Sequence, residues 1–242
     1  MTIALRSAVA LLALALALAL ALALYAAPAS AAPPSVKLSD ERSTTYWAYV
    51  QKAVPVRKRP ARRAPKVGEL TRRTFYRFPD VVLVLRETRT RRPWSLVRYP
   101  GLGNRTGWVP SAALSERHLT DTAVVIDRGA TKLTVLRRGK PVFKTRVGVG
   151  AAESPTPAGR TYLRERLLPR DPRGLYGVLA FGLSTYSPHR TDWAGGGQVG
   201  IHGTNQPELI PGFISNGCVR LHNKAIRRVD RLTGVGTPVT IR

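Results

Sequence analysis

Apolar positions divide the chain into three differently patterned stretches. From Ala8 to Ala27 they run without a break, mostly as alternating Leu and Ala, behind a short start that carries one charge, Arg6. Ala29-Ser30-Ala31 follows with a small-x-small pattern. This predicts an export signal over residues 1–31, cleaved after about Ala31. A run of about 20 apolar residues also suffices to cross a bilayer. An uncleaved anchor formed by residues 8–27 is therefore the rival expectation. Residues 32–44 contain Pro33-Pro34 and Asp40-Glu41-Arg42, and predict a linker with no packed structure.

Residues 45–117 carry short strand-like runs. Tyr46–Val50 and Val54–Val56 come first, then the continuous apolar run Val81–Leu85, then Trp94–Tyr99, which alternates. Gly101–Gly107 is a turn cluster, and Trp108-Val109-Pro110 closes the stretch. Short strands, Gly/Pro turns and no helical period predict a small β-barrel. Trp94 and Trp108 are expected in its core, and the basic run Arg57–Arg63 as a solvated loop.

Residues 118–242 repeat the pattern on a larger scale. Strands are predicted at Thr122–Asp127, Lys132–Arg137, Pro141–Gly148, Arg160–Leu163, Val178–Leu183 and Gln198–His202. Leu167–Gly174 and Ser184–Gly197 are polar loops. One helix is expected from Asn223 as its cap to Gly234, with Ile226, Val229 and Leu232 inward and Arg227, Arg228 and Arg231 solvated. The fold class is therefore mainly β: a small barrel, then a β-sandwich or mixed sheet with one or two short helices.

The formal net charge is +25. Residues 1–31 hold one basic residue and no acidic one, so +24 remains without them. Such a surface suits an anionic polymer or membrane; export removes nucleic acid from reach. The single cysteine, Cys218, forms no internal disulfide and reads as a reactive thiol.

Its surroundings carry the chemistry. His202-Gly203-Thr204-Asn205 stands 16 positions before it, within the order His202 … Ser215-Asn216-Gly217-Cys218-Val219-Arg220-Leu221-His222. A thiol nucleophile needs a base, here His202, and donors for the oxyanion made on attack. Small residues such as Gly203 and Gly217 admit a substrate close to backbone, and the N–H groups of Gly217 and Cys218 are the expected donors. Arg220 is placed to lower the thiol pKa and to bind a carboxylate. Ser215 and Asn216 shape the turn, and His222 is a possible accessory residue. His118 and His189 receive no role. No carboxylate or second thiol joins the histidines, so no metal and no cofactor is expected.

This block resembles the signature of the L,D-transpeptidase (YkuD-type) catalytic domain, H-G followed at this spacing by S-x-G-C-[VI]-R. Thr156-Pro157-Ala158-Gly159 resembles the family's T-P-x-G turn and Gly236–Ile241 its closing strand, so the likeness covers about residues 121–242. Val56-Arg57-x-Arg59-Pro60, Trp94–Val97 and Gly107–Pro110 resemble bacterial SH3-like modules. The resemblance implies four parts: signal 1–31, linker 32–44, SH3-like module 45–117 and catalytic domain 118–242. It implies a peptidoglycan enzyme of the cell wall, in which Cys218 attacks the diamino-acid carbonyl of a tetrapeptide stem, expels D-alanine and passes the acyl group to a second stem as a 3→3 cross-link. It also implies that the carbonyl of Gly203 orients His202, and that carbapenems acylate the thiol. An L,D-carboxypeptidase uses the same residues with water as acceptor, and attachment of a wall protein uses a lysine. A non-catalytic wall-binding protein is the alternative of another class. Sortases space their His, Cys and Arg far apart, whereas here they lie within 19 positions. NlpC/P60 peptidases place Cys before His.

Overall fold

A computed structural model describes residues 33–103, 105–189 and 195–242. The expected signal or anchor segment lies outside the described residues. Strands dominate, as the patterning predicts, and two sheets account for them.

The first sheet contains β1 (Ser35–Lys37), β2 (Thr45–Tyr49), β3 (Val54–Arg57), β4 (Lys66–Leu70), β5 (Val81–Thr88), β6 (Trp94–Arg98), β7 (Thr106–Pro110) and β8 (His118–Thr120). Its order is β4-β3-β7-β6-β5-β2-β8, with β1 added onto β5. Val81–Val84 are fully buried because β5 is covered on both faces. One face packs on Val56, Val97 and Val109, and the other on Tyr162 of the second sheet. That covering explains why this strand reads as a continuous apolar run.

Two expectations need correction. The described part of the expected 32–44 linker, residues 33–44, is not unpacked. β1 pairs with β5 from Ser35↔Thr88 to Lys37↔Arg86. Glu41, with a buried side chain, takes Arg98 on one side and Arg160 on the other. A buried carboxylate held by two guanidinium groups is a packing site; Asp-Glu-Arg read as a polar run hides it. β8 also pairs with β2, Thr45↔Thr120 to Trp47↔His118, so the first sheet extends to residue 120.

The second sheet contains β9 (Thr122–Asp127), β10 (Lys132–Arg137), β11 (Lys140–Arg146), β12 (Gly148–Gly150), β13 (Gly159–Leu167), β14 (Ala180–Tyr186), β15 (Gln198–His202), β16 (Gly212–Ser215), β17 (Val219–Arg220) and β18 (Pro238–Ile241). Its order is β11-β10-β9-β18-β13-β14-β15-β17-β12-β16. The sheet is mixed: β15/β17, β12/β16 and β18/β9 are parallel pairs. Helix α1 (Asn223–Leu232) buries Ala225, Ile226 and Val229 in a core with Val199, Ile201, Val219 and Leu221. His222, not Asn223, is its N-cap, and caps with backbone alone.

The sheets meet through a buried seam. Tyr162 donates its hydroxyl to Val81 O (2.8 Å), and Arg164 grips Asp80 with Nε and Nη2 (2.7 and 2.6 Å). Residues 34–242 form one compact unit. Among the described residues no helix is long and apolar enough to cross a membrane.

Candidate active site

β15 alternates. Val199 and Ile201 enter the core, which turns Gln198, Gly200 and His202 to the opposite face. β17 lies parallel beside it with Ile201↔Val219 and His202↔Arg220 in register. Val219 is therefore a core residue, and Arg220 joins His202 on the outer face. Cys218 sits at the end of the turn that feeds β17.

Gly217 lies in that turn at φ +108°, a conformation that only glycine adopts at little cost. Ser215 braces the turn. Its Oγ donates to Cys218 O (2.5 Å) and accepts the N–H of Gly217 (3.2 Å). Gly217 N–H, one of the two expected oxyanion donors, therefore meets Ser215 Oγ. Cys218 N–H donates no hydrogen bond among the described residues, and it is the donor left for an oxyanion.

Cys218 is half-buried. Its Sγ accepts the N–H of Gly200 at 3.3 Å. Burial pushes the thiol pKa up, against the Gly200 N–H and the Arg220 charge, which pull it down. His202 is 3% exposed, and its pKa is lowered to about 4 by burial. Its Nδ1 lies 2.6 Å from Gly203 O, the contact that the resemblance implies. A neutral ring in this contact carries its proton on Nδ1 and its lone pair on Nε2. Sγ and His202 Cδ2 stand 3.8 and 3.9 Å from the position a Cβ would take on Gly200, so ring and thiol converge over that glycine. Neutral thiol and neutral imidazole are the resting pair, because burial disfavours both charged forms.

Gly203 is required by close approach. A Cβ there would run into Asn223 Oδ1, which accepts the N–H groups of Thr204 and Val178 (3.2 and 3.3 Å) while Nδ2 donates to Thr204 O (3.0 Å). The Asn223 side chain thus clamps the strand end that carries His202 and caps no helix.

Arg220 Nη1 donates to Gln206 Oε1 (3.1 Å). Its Nε is buried without a partner, and among the described residues no carboxylate pairs with Arg220. Asn216 is exposed. His222 is exposed at the start of α1 and lines neither cavity beside the thiol, so the structure does not bring it into the site.

Those two cavities share Cys218, His202, Tyr176, Gln198 and Val199. One, about 240 Å³, holds Ser215, Asn216 and Arg220. The other, about 370 Å³, is apolar and includes Tyr76 from the first sheet's β4–β5 connection. Sequence reasoning missed both tyrosines. Tyr176 packs edge-on against His202 (centroids 4.9 Å). Tyr176 is a lone aromatic in a loop, and Tyr76 stands in the short aromatic run Phe75-Tyr76-Arg77-Phe78, which has no strand or helix period.

The model of the YkuD L,D-transpeptidase catalytic domain matches residues 121–241. The YkuD protein of Bacillus subtilis is 33% identical over 118 residues, covering 49% of this chain and 64% of the relative. The YqjB protein of the same organism is 28% identical over 131 residues, 50% of this chain and 71% of the relative. Among solved structures, Bd1075 of Bdellovibrio bacteriovorus is 27% identical, covering 51% of this chain and 48% of that one, with a TM-score of 0.41. The family model spans half of the chain and contains Cys218, His202 and Arg220, so the chain belongs to the YkuD family of L,D-transpeptidase catalytic domains.

Proposed function

We propose that this protein is a peptidoglycan L,D-transpeptidase acting outside the cytoplasm on stem peptides. The observation that carries the reading is the pairing of a half-buried thiol and a tautomer-fixed neutral imidazole between two cavities, one of which ends in an arginine with no carboxylate partner among the described residues. Arg220 receives a stem carboxylate. His202 Nε2 takes the thiol proton as Sγ attacks the carbonyl of the third stem residue. Cys218 N–H faces the oxyanion. The intermediate collapses to a thioester. The C–N bond to D-alanine breaks, and the proton on His202 passes to the leaving amine. An amine of a second stem then attacks the thioester carbon and loses its proton to His202. The thiolate leaves and recovers that proton, completing a 3→3 cross-link. No metal or cofactor enters these steps.

The same acyl-enzyme given to water makes the protein an L,D-carboxypeptidase. The +25 charge suits an anionic wall polymer, and the first sheet, read as an SH3-like module, is the part placed to hold it. Intact-protein mass spectrometry with a disaccharide-tetrapeptide, beside Cys218→Ala, tests the reading. A thioester adduct on the wild type alone, with cross-linked dimer in solution, is the expected result. An adduct that resolves to tripeptide alone moves the assignment to carboxypeptidase. No adduct and no released D-alanine overturns the enzyme.

A further inference from the structure

Exposed rings gather beside the 370 Å³ cavity. Among the described residues the exposed aromatic side chains are Tyr49, Phe75, Tyr76, Phe78, Tyr176 and Phe213. Four of these stand on two connections that reach this cavity, β4–β5 with Phe75, Tyr76 and Phe78, and β13–β14 with Tyr176. Phe75 is 61% exposed. Leaving such rings in water forgoes the gain of burial, and clustered apolar surface edged by polar residues marks a binding surface.

The β4–β5 rings are held in place. Thr74 N–H donates to Phe78 O (2.9 Å) and Arg77 N–H to Thr74 O (3.0 Å). Arg73 Nη1 donates to Arg77 O (2.9 Å). At the base of the turn Asp80 N–H donates to Arg72 O (3.0 Å), while the Asp80 carboxylate takes Arg164 of the second sheet. The seam between the sheets therefore fixes where this turn stands beside the thiol. Phe75 packs edge-on against Tyr76, centroids 5.1 Å apart. Tyr76 lines the 370 Å³ cavity, and Phe75 lines neither cavity beside the thiol. The pair thus carries an aromatic surface out of the cleft, and a surface already ordered loses little freedom on binding.

We propose that the Phe75–Tyr76 surface is a saccharide subsite, which stacks on the sugar that carries the donor stem. This rests on the transpeptidase reading and adds to it a substrate class, stems attached to glycan in preference to free peptide. Polarity sets the direction of the chain. Arg220 lies in the 240 Å³ cavity, whereas no Asp, Glu, Lys or Arg among the described residues lines the other. With the stem's terminal carboxylate at Arg220 and its third carbonyl at Sγ, the first two residues leave past Tyr76. Three extended residues cover about 10–11 Å, the scale of the 370 Å³ cavity plus one ring contact. The sugar at the head of the stem then meets Phe75. A pyranose presents a face of C–H groups, the complement of the electron-rich face of an aromatic ring. Its hydroxyl and N-acetyl oxygens accept hydrogen bonds, and Arg72 and Arg77 beside the rings are exposed and pair with no carboxylate among the described residues. A lipid surface suits these rings less well, because it would cover the cavity that Tyr76 lines and that the substrate must enter.

The test compares one tetrapeptide with and without the disaccharide at its N-terminus. The readout is the second-order rate of Cys218 acylation in the full-length protein, followed by quenched-flow mass spectrometry. The sugar-bearing stem is expected to acylate about tenfold faster on the wild type. In Phe75→Ala that ratio falls to within about twofold, and Phe75→Trp, which keeps a ring face, retains it. Equal rates on the wild type overturn the subsite without any variant and leave the transpeptidase standing. A ratio that survives in a folded Phe75→Ala protein overturns it too. Vesicles of phosphatidylcholine and phosphatidylglycerol offer the rival surface. If they sediment the wild type but not Phe75→Ala, while the two stems react alike, the rings serve a membrane and the subsite falls. Acylation by neither stem, with carbapenem acylation intact, removes the stem-peptide reading and the subsite with it.

Discussion

His202 keeps its Nδ1 2.6 Å from the carbonyl oxygen of its own chain neighbour, Gly203, inside a site that leaves the ring 3% exposed. Orientation of the base thus comes from backbone, and burial holds its pKa at about 4. The unfolded chain protonates this histidine near 6.5. Between the two values the unfolded state binds a proton that the native state excludes, so stability rises with pH across that window. The contribution is complete above about pH 6.5 and is lost as pH falls to about 4, in total about 3 kcal/mol. Urea unfolding at pH 7 and pH 4.5 measures it: the wild type should lose about 2–3 kcal/mol more than His202→Gln between the two. The acid limb of kcat/KM should likewise fall near pH 4 rather than 6.5.

Gly203→Ala tests the clamp. The new Cβ collides with Asn223 Oδ1, so either Asn223 leaves Thr204 and Val178 or the Gly203 carbonyl swings away from His202. Overpacking of this kind costs about 1–3 kcal/mol. A fall in kcat of at least tenfold, at a temperature where the variant stays folded, is the expected outcome. An active variant with the wild-type pH profile would show that the Gly203 carbonyl does not set the ring.

Legibility followed the physics of each element. Gln198–His202 was predicted with its observed limits, because core and cleft residues alternate along it. The motif order placed Cys218, His202 and Arg220 together, because short turns and one parallel pair bring near neighbours in sequence together in space. Strand pairing across long separations left no local trace. Glu165 reads as one charge in Arg164-Glu165-Arg166, yet Arg164 reaches Asp80 (2.6 Å), Arg166 reaches Asp230 (2.6 Å) and Glu165 is buried against the Gln198 amide (2.8 Å). A register irregularity between Leu163 and Glu165 breaks the alternation from which their faces would be read. Asn223 looked like a cap because its type and place before a helix fit one. Its side chain is drawn off by three backbone groups of other segments.

Asp80 and Arg164 join the sheets at the base of the connection that carries Tyr76. Their side chains are 2% and 7% exposed. Removing one partner strands the other charge, and Asp80→Ala should cost about 3–5 kcal/mol in denaturant unfolding. Asp80→Leu combined with Arg164→Met removes both charges and should recover most of that loss. A double variant no better than the single one would mean that the pair's other hydrogen bonds, from Thr71 to Asp80 and from Arg164 to Tyr186, hold the seam.

Arg220 is assigned two effects, and two substitutions separate them. Its charge pulls the Cys218 pKa down against burial, and its guanidinium, held by Gln206 alone among the described side chains, is free to grip a carboxylate. Arg220→Gln removes both effects. Alkylation of the thiol by iodoacetamide at fixed pH should slow, and KM for a stem peptide should rise about 10- to 100-fold, the loss of a hydrogen bond between charged groups. Arg220→Lys keeps the charge and discards the fork. Alkylation should then return toward the wild-type rate while KM stays high. If the lysine variant restores both, the arginine acts as a point charge and the carboxylate is held elsewhere. If alkylation does not change in Arg220→Gln, the thiol is tuned by the Gly200 N–H against burial, and Arg220 serves binding alone.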